Sequence, residues 1–571
     1  VNVSNTNRER IIKAGLPVPF DVIALSLSGG GFRATAFHLG TLTYLDKVNF
    51  IRTSLIERVK VLSTVSGGTL TGALYATEIQ KGNGILHCYE KLYRFMSTVD
   101  LVKESLEFLS CDNCNRFKTK NLINAFSELY YKHLIQDTFS IFWNGKHTHL
   151  TELCLNTTDF SHGLNFRFQK TLNDTGFIGN KYFQSKIEPM KEINISDIIA
   201  ASSCFPGGFE PMNFPEDFRN ENSVNFNKYS DELMNSSKFN IPIYIMDGGI
   251  YDNQGIDAVV LAKQRLTRYY TEYRNKVNSI DLYIISDVAN PNMRPLKYTK
   301  IKDSSLFHRL SFRRLSYLST ILSITFVFLL YQLLKAKTKS STILYSVIST
   351  LSFLGSMITG FMGKLLINNI PSSLEIPEHF TRNFKQLNKL SFGVYSHFIY
   401  ERVMSLLKMN MDVFTNQVRR LSTKQIWERP EWDNRRILNA SWDLTKECVL
   451  ERKRKNPNTE SSVVFNPSEL IIECTQKTLT METTLWFEKH QLIGYDSMLN
   501  SIIACGQYTM CFNLIEYIER LRKMDGFLLY SKEIQKQIDV LYKGLVKDWQ
   551  HFNNDPYWMV QQINEKIIKG D

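Results

Sequence analysis

Three times in the first 290 residues a short apolar, β-prone run ends in glycine. Residues 22–27 precede Gly29-Gly-Gly31, residues 59–63 precede Ser66-Gly-Gly68, and residues 241–246 precede Asp247-Gly-Gly249. Runs of this kind suit strands buried on both faces of a largely parallel sheet. After Gly31 the apolar residues Phe37, Leu39, Leu42 and Leu45 recur at helical spacing, so the first glycines mark a strand-to-helix turn. Such a turn offers unpaired N–H groups and the positive end of a helix dipole, and glycine lets another atom approach the backbone. The pattern predicts an α/β fold with an anion site at the carboxyl edge of the sheet.

Three anions compete for that site: a phosphate, a dinucleotide, or a negative charge that exists only during a reaction. Gly29-Gly-Gly31-Phe-Arg-Ala34 satisfies G-x-G-x-x-A, but the dinucleotide fingerprint also requires an acid at the end of the next strand. That strand runs into Thr64-Val-Ser66. A P-loop fails because no Lys-Ser/Thr pair follows the glycines. Ser66 points to the third possibility. A serine on a tight strand-to-helix turn has its hydroxyl pushed out at the sheet edge, as in a nucleophile elbow, although Thr64 stands where G-x-S-x-G has glycine. The bland alternative is a Ser-Gly-Gly loop without chemistry. Asp247, if its strand is a parallel neighbour, faces the same crevice and can accept the serine proton without a histidine. Its bland alternative is an Asp-Gly turn. Asp287, after the strand-like residues 282–286, is a reserve base expected to be structural.

Ser28-Gly-Gly-Gly-Phe-Arg-Ala34, Ser66-Gly-Gly68, Ala200-Ala-Ser-Ser-Cys-Phe-Pro206 and Asp247-Gly-Gly-Ile-Tyr-Asp-Asn253 occur in this order. Together they resemble the patatin-like phospholipases and the related cytosolic phospholipase A catalytic domains. The resemblance covers about the first 290 residues. It implies a sheet sandwiched by helices, a Ser66–Asp247 dyad, an oxyanion hole from the Gly29, Gly30 and Gly31 amides, and a role for Arg33 in holding substrate phosphate or supporting the glycine loop. The glycines would then receive the oxyanion formed when Ser66 attacks an ester carbonyl. Burial is expected to raise the pKa of Asp247 so that it can serve as base and acid in turn.

Other chemistries find less support. Of the eleven histidines, His308, His379, His397 and His490 follow Asp247, and none sits on a recognisable strand-end loop. The nine cysteines are scattered, and Cys111-Asp-Asn-Cys114 lacks the second pair that zinc needs. A reducing compartment is expected, and no metal or other cofactor. The polar first ten residues predict no cleaved signal peptide. A net charge of +12 and a pI near 9.0 favour an anionic partner. No nucleic-acid-reading motif is present, so a membrane surface is expected.

Residues 315–334 and 340–363 carry no charge and are each long enough to cross a bilayer. The second run is rich in Ser, Thr and Gly and is expected to pack against the first. Lys297, Lys300, Lys302, Arg309, Arg313 and Arg314 precede the pair, Lys335, Lys337 and Lys339 lie between them, and Lys364 follows. Charge counting places the catalytic side in the cytoplasm. Residues 366–571 read as mainly helical, with long patterns over 400–421 and 498–521 and an exposed basic break at Arg452-Lys-Arg-Lys-Asn-Pro457.

The expected organisation is a catalytic domain over residues 1–310, a spanning or re-entrant hairpin over 311–365, and a helical region over 366–571 that completes or regulates the enzyme. The expected activity is release of fatty acids from membrane glycerophospholipids. The hairpin and C-terminal helices are the surfaces on which a homo-oligomer would form. The competing readings are a catalytically silent membrane scaffold or sensor and a soluble lipid-ester esterase.

Overall fold

The computed structural model describes residues 19–111, 118–144, 148–174, 176–218, 220, 232–233, 243–274, 280–289, 311–364, 390–455 and 466–569. Lys297, Lys300, Lys302, His308, Arg309, His379 and Cys114 lie outside these ranges. The chain forms two compact units, one of residues 1–293 with 414–571 and one of residues 294–413. The chain leaves the first unit before the hairpin and re-enters it at residue 414.

In the first unit the glycine-ended runs are strands. β1 (Ile23–Leu27) leads into helix α1 (Gly31–Lys47), and β2 (Val59–Val65) into α2 (Gly67–Gln80). There follow β3 (Glu152–Asp159), β4 (Leu164–Lys170), β5 (Ile178–Gly179), β6 (Gln184–Ser185), helix α3 (Ile195–Ser202), β7 (Met212–Phe214), β8 (Ile243–Asp247), helices α4 (Gly249–Asp252) and α5 (Ile256–Arg274), and β9 (Leu282–Asp287). The last strand, β10 (Arg436–Ala440), comes from the C-terminal region. The sheet order is β10-β9-β1-β2-β3-β4-β5-β6, with β8 also on β3 and β7 on β8. From β10 to β3 the neighbours are parallel.

Successive strand residues point to opposite faces, and both faces are covered. Ala24, Val61, Tyr283 and Ile285 pack with Val259, Leu266 and Ile426. Leu25, Leu27, Leu62 and Ile284 belong to the larger core with α1, α2 and the C-terminal helices. This burial on both sides is why the runs lack polar alternation. The long pattern near residue 500 becomes helix α10 (Met498–Lys523), most of whose residues are buried, so it is a core helix rather than an amphipathic surface one. It crosses α1 at contact distance: a Cβ on Gly40 would lie 2.0 Å from the Ile503 carbonyl oxygen, and one on Gly506 would lie 2.0 Å from that of Phe37. The basic cluster is not a solvated loop where it begins. Arg452 lies in the helix Lys446–Lys455, pairs with Asp443 at 3.4 Å and stacks on Phe512.

The second unit contains α6 (Phe312–Lys335) and α7 (Lys339–Lys364), an antiparallel hairpin, followed by α8 (Phe392–Lys408). Both hairpin helices are long and apolar enough to cross a membrane, with only 6% and 11% of their most apolar windows buried. They pack on each other through small residues, as expected from composition: Ser319 Oγ donates to the Ser356 carbonyl at 3.1 Å, and Gly355 faces Leu322.

Gly506→Ala should destabilise the protein by about 2 kcal/mol, because the added methyl must push apart two packed helix backbones. Gly544→Ala, in the helix Lys532–Asn554 with nothing within 4 Å of the added carbon, should be neutral or slightly stabilising. Denaturant midpoints of the two variants and the parent protein measure the contrast.

Candidate active site

Strand β3 brings the candidate residues together. Its first half pairs in parallel with β2, which ends with Val65 opposite Asn156. The same edge then pairs with β8, antiparallel, which ends with Asp247 opposite Thr157. The carboxyl ends of two strands running in opposite directions thus meet on consecutive residues of β3. The expectation of a parallel β8 is corrected, and the reversal lets the two tips converge. Ser66 follows β2 directly, and its side chain is one of the groups that favour the ionised form of the Asp247 carboxylate.

Ser66 sits at φ 52°, ψ −123°, a strained position for a residue with a side chain. Its surroundings hold it there. The Ser66 N–H donates to Ser202 Oγ at 2.9 Å, and that hydroxyl donates to the Asn156 carbonyl at 2.7 Å. A Cβ on Gly67 would fall 2.0 Å from the Gly31 carbonyl oxygen, and one on Gly68 would fall 2.5 Å from that of Leu27, so the elbow lies directly on the glycine loop. Thr64 is accommodated by Gly72, whose missing Cβ would lie 2.3 Å from the Thr64 methyl. The room that glycine at position 64 would have provided comes from the helix instead.

Asp247 is buried, and its Oδ1 accepts the Gly249 N–H at 2.7 Å. Burial raises its pKa to about 6, against the lowering effect of the hydrogen bonds from Ser66 and Gly249. Its own N–H donates to the Cys204 carbonyl at 2.9 Å. The segment Ala200–Pro206 thus ties down both partners, the serine through the Ser202 hydroxyl and the aspartate through the Cys204 backbone. In the sequence this segment was only part of a resemblance.

The glycine loop is positioned from several elements. Gly29 departs from the expected arrangement: its N–H donates to the Asn253 carbonyl at 2.9 Å, so it cannot also face an oxyanion. Gly30 and Gly31, at φ 147° and 58°, have N–H groups with no hydrogen-bond partner among the described residues. Arg33 is a loop support rather than an open phosphate ligand. It is buried, and its guanidinium donates to the carbonyls of Met481 at 2.8 Å and Val288 at 3.0 Å. Arg419, on helix α9 (Thr415–Trp427), reaches the Gly29 carbonyl at 3.4 Å and Asp287 at 3.6 Å. Asp287 also accepts from Gln254 at 2.7 Å and from the Ala289 N–H at 3.0 Å, in keeping with a structural carboxylate.

Behind the loop His38 is fully buried, with Nε2 2.9 Å from the Ser28 carbonyl and Nδ1 2.9 Å from Ser286 Oγ. Burial lowers its pKa to about 4 and keeps it neutral. His397 and His490 lie beside Glu401 and Glu488. The described residues contain no cluster of three or more potential metal ligands. Cys111 is disulfide-bonded, whereas seven other described cysteines are free.

Residues 25–260 match the family model for patatin-like phospholipase. The match supports a patatin-like phospholipase domain over this segment. No curated protein matches the chain. The domain indicates lipid acyl hydrolase activity, and β10, Arg419 and Met481 lie beyond its matched span.

Ser202→Ala removes the acceptor of the Ser66 N–H without touching the proposed reacting atoms. The expected result is a kcat about tenfold lower with KM little changed, matching the ~1.4 kcal/mol scale of one buried hydrogen bond. Steady-state kinetics on a short-chain ester, with the labelling rate of Ser66 by a fluorophosphonate as second readout, measure it.

Proposed function

We propose that the protein is a membrane-associated serine hydrolase that releases fatty acids from glycerophospholipids through a Ser66–Asp247 dyad. The observation that carries this reading is the convergence of the strained Ser66 and the buried Asp247 at strand ends that meet on adjacent residues of β3, beside the unengaged Gly30 and Gly31 N–H groups. Asp247 takes the hydroxyl proton as Ser66 Oγ attacks the ester carbonyl. The carbonyl oxygen becomes an oxyanion and is held by the Gly30 and Gly31 amides, each such donor being worth ~3 kcal/mol. As the tetrahedral species collapses, the ester C–O bond breaks and Asp247 returns the proton to the departing lyso-lipid alkoxide, leaving the acyl group on Ser66. Water then attacks the acyl-enzyme with Asp247 again as base, and the fatty acid leaves.

Two features support a lipid surface as the place of work. The helices α6 and α7 expose nearly continuous apolar faces, as lipid-facing helices do. Arg313 and Arg314 are exposed at the start of the hairpin, where anionic headgroups would attract them. Anchoring by such a hairpin keeps the catalytic unit concentrated near its substrate.

Ser66→Ala and Asp247→Asn should each lower fatty-acid release from mixed phospholipid vesicles by about 10³-fold or more, and the double variant should be no worse, because the pair acts as one unit. Product analysis by mass spectrometry reads this directly. Substantial activity in Asp247→Asn would move the base elsewhere, with Asp287 the next carboxylate to test.

The pH dependence has a definite sign. Asp247 accepts a proton only when ionised, so kcat/KM on an uncharged soluble ester should rise tenfold per pH unit below about 6 and level off above it. An acid limb at the ordinary aspartate value would show that the base is not a buried carboxylate.

A further inference from the structure

Helix α8 (Phe392–Lys408) follows the hairpin within the second unit and wears its amphipathicity inside out. A helix on a water-soluble surface buries its apolar stripe and exposes its charges. Here Ile399, Val403, Leu406 and Leu407, spaced by four, three and one residues along one face, are 43%, 46%, 62% and 39% exposed. Tyr400 and Met409 flank them and are also exposed. On the other side His397 and Glu401, an i,i+4 pair, have side chains only 17% and 24% exposed.

A second observation says what covers this face. Ser391, which caps the first turn of α8, forms an antiparallel bridge with Ser311, which caps the first turn of α6. The start of α8 is thereby fixed at the foot of the hairpin, next to Arg313 and Arg314. If the hairpin lies in a bilayer, its charged foot lies at the headgroup level, because cationic side chains do not enter the hydrocarbon. A helix that starts at that level, exposes an apolar stripe from Ile399 onward and also carries Arg402 and Lys408 has the composition of an in-plane helix at the lipid boundary.

We propose that α8 is a membrane-surface helix that inserts Ile399, Val403, Leu406 and Leu407 into the boundary between headgroups and acyl chains. The inference rests on the membrane reading of the hairpin and adds a second kind of contact, parallel to the surface. The hairpin holds the chain in the bilayer, whereas α8 lies along its surface. Its occupant is lipid rather than a second copy of the chain, because the helix that carries the stripe starts at the hairpin foot.

The test uses the full chain in phosphatidylcholine vesicles that contain a phosphatidylcholine bearing a photoactivatable diazirine high on one acyl chain. After illumination, peptide mapping should find lipid adducts both within residues 315–359 and on residues 399–407. Adducts on the hairpin without adducts on 399–407 overturn the proposal and leave the anchored hairpin standing. Absence from both segments overturns the membrane reading itself. If residues 399–407 take no lipid adducts and an added amine-reactive cross-linker instead joins two copies of the chain through Lys408, the face belongs to a second copy and the proposal is also overturned. As an independent arm, Val403→Glu with Leu406→Glu should keep the protein in washed membranes and leave short-chain ester hydrolysis unchanged. Vesicle-lipid hydrolysis should fall at least about fivefold, as expected when an interfacial helix loses its apolar face. Unchanged vesicle hydrolysis in that variant overturns the proposal.

Discussion

The site depends on a change of partner along one edge of β3. Up to Asn156 the edge is paired with β2, and from Thr157 it is paired with β8 running the other way. Two strand tips therefore share a point that a continuous strand would have filled, and each tip must turn away at once. The glycines answer this crowding. A Cβ on Gly248 would lie 2.4 Å from the Asn156 carbonyl oxygen, as close as the contacts that exclude side chains at Gly67 and Gly68. Asn156 secures the junction in three directions, because its side-chain amide donates to Ser63 Oγ at 2.9 Å and to the Thr64 carbonyl at 3.0 Å while its own carbonyl accepts from Ser202. Hydrogen bonds of this kind are costly to leave unmade in a buried place, so the junction is stiff.

The C-terminal region belongs to the same construction. β10 extends the sheet beyond β9, α10 packs on α1, and the Thr484 carbonyl accepts the Phe32 N–H at 2.7 Å at the start of α1. A buried polar chain also runs from the Ser28 carbonyl through His38, Ser286 and Thr41 to Asn439, and from Asn439 through Asn513 to Asp443. Such networks act as units, because breaking one bond strands its neighbours without water. The glycine loop is thus held from residues more than 400 positions away, and a fragment ending at residue 260 would lack Asp287, Arg419, Asn439 and Thr484. Residues from 419 onward thus supply structural supports of the glycine loop.

What could be read from the sequence follows the range of the forces involved. Strand ends, glycine turns and the hairpin are dictated by short-range sterics and by runs of apolar residues, so residues 22–31, 59–68 and 315–363 were legible. The direction of β8 was not, because the four apolar residues Ile243–Met246 look the same whether paired parallel or antiparallel. The N–H of Gly29 was assigned to the oxyanion for a related reason: its competing acceptor, the Asn253 carbonyl, is 224 residues away and carries no local signal. Arg419 and Met481 were invisible on the same grounds. Ser202 lies within the Ala200–Pro206 motif, but its task depends on the backbone of Ser66 beside it. At Thr64 the sequence signalled crowding correctly, and its relief by Gly72 needed the helix to be placed.

The head-on approach of the two strands also bears on why a carboxylate serves in the proposed dyad. An imidazole between serine and aspartate would require the tips to stand apart by a ring's width, whereas here β2 and β8 end opposite the adjacent β3 residues Asn156 and Thr157. A solvated carboxylate is a weak base toward an alcohol. Burial removes water that would stabilise the anion and brings the pKa to about 6, which leaves Asp247 ionised at neutral pH yet a stronger base than a free aspartate. The Gly249 N–H pulls the other way, favouring the charged form and fixing the carboxylate's orientation. Desolvation and hydrogen bonding oppose each other in energy but cooperate in geometry. The same strand ending that crowds the backbone keeps water from the base, so the constraint that dictates the glycines also sets the chemistry of Asp247.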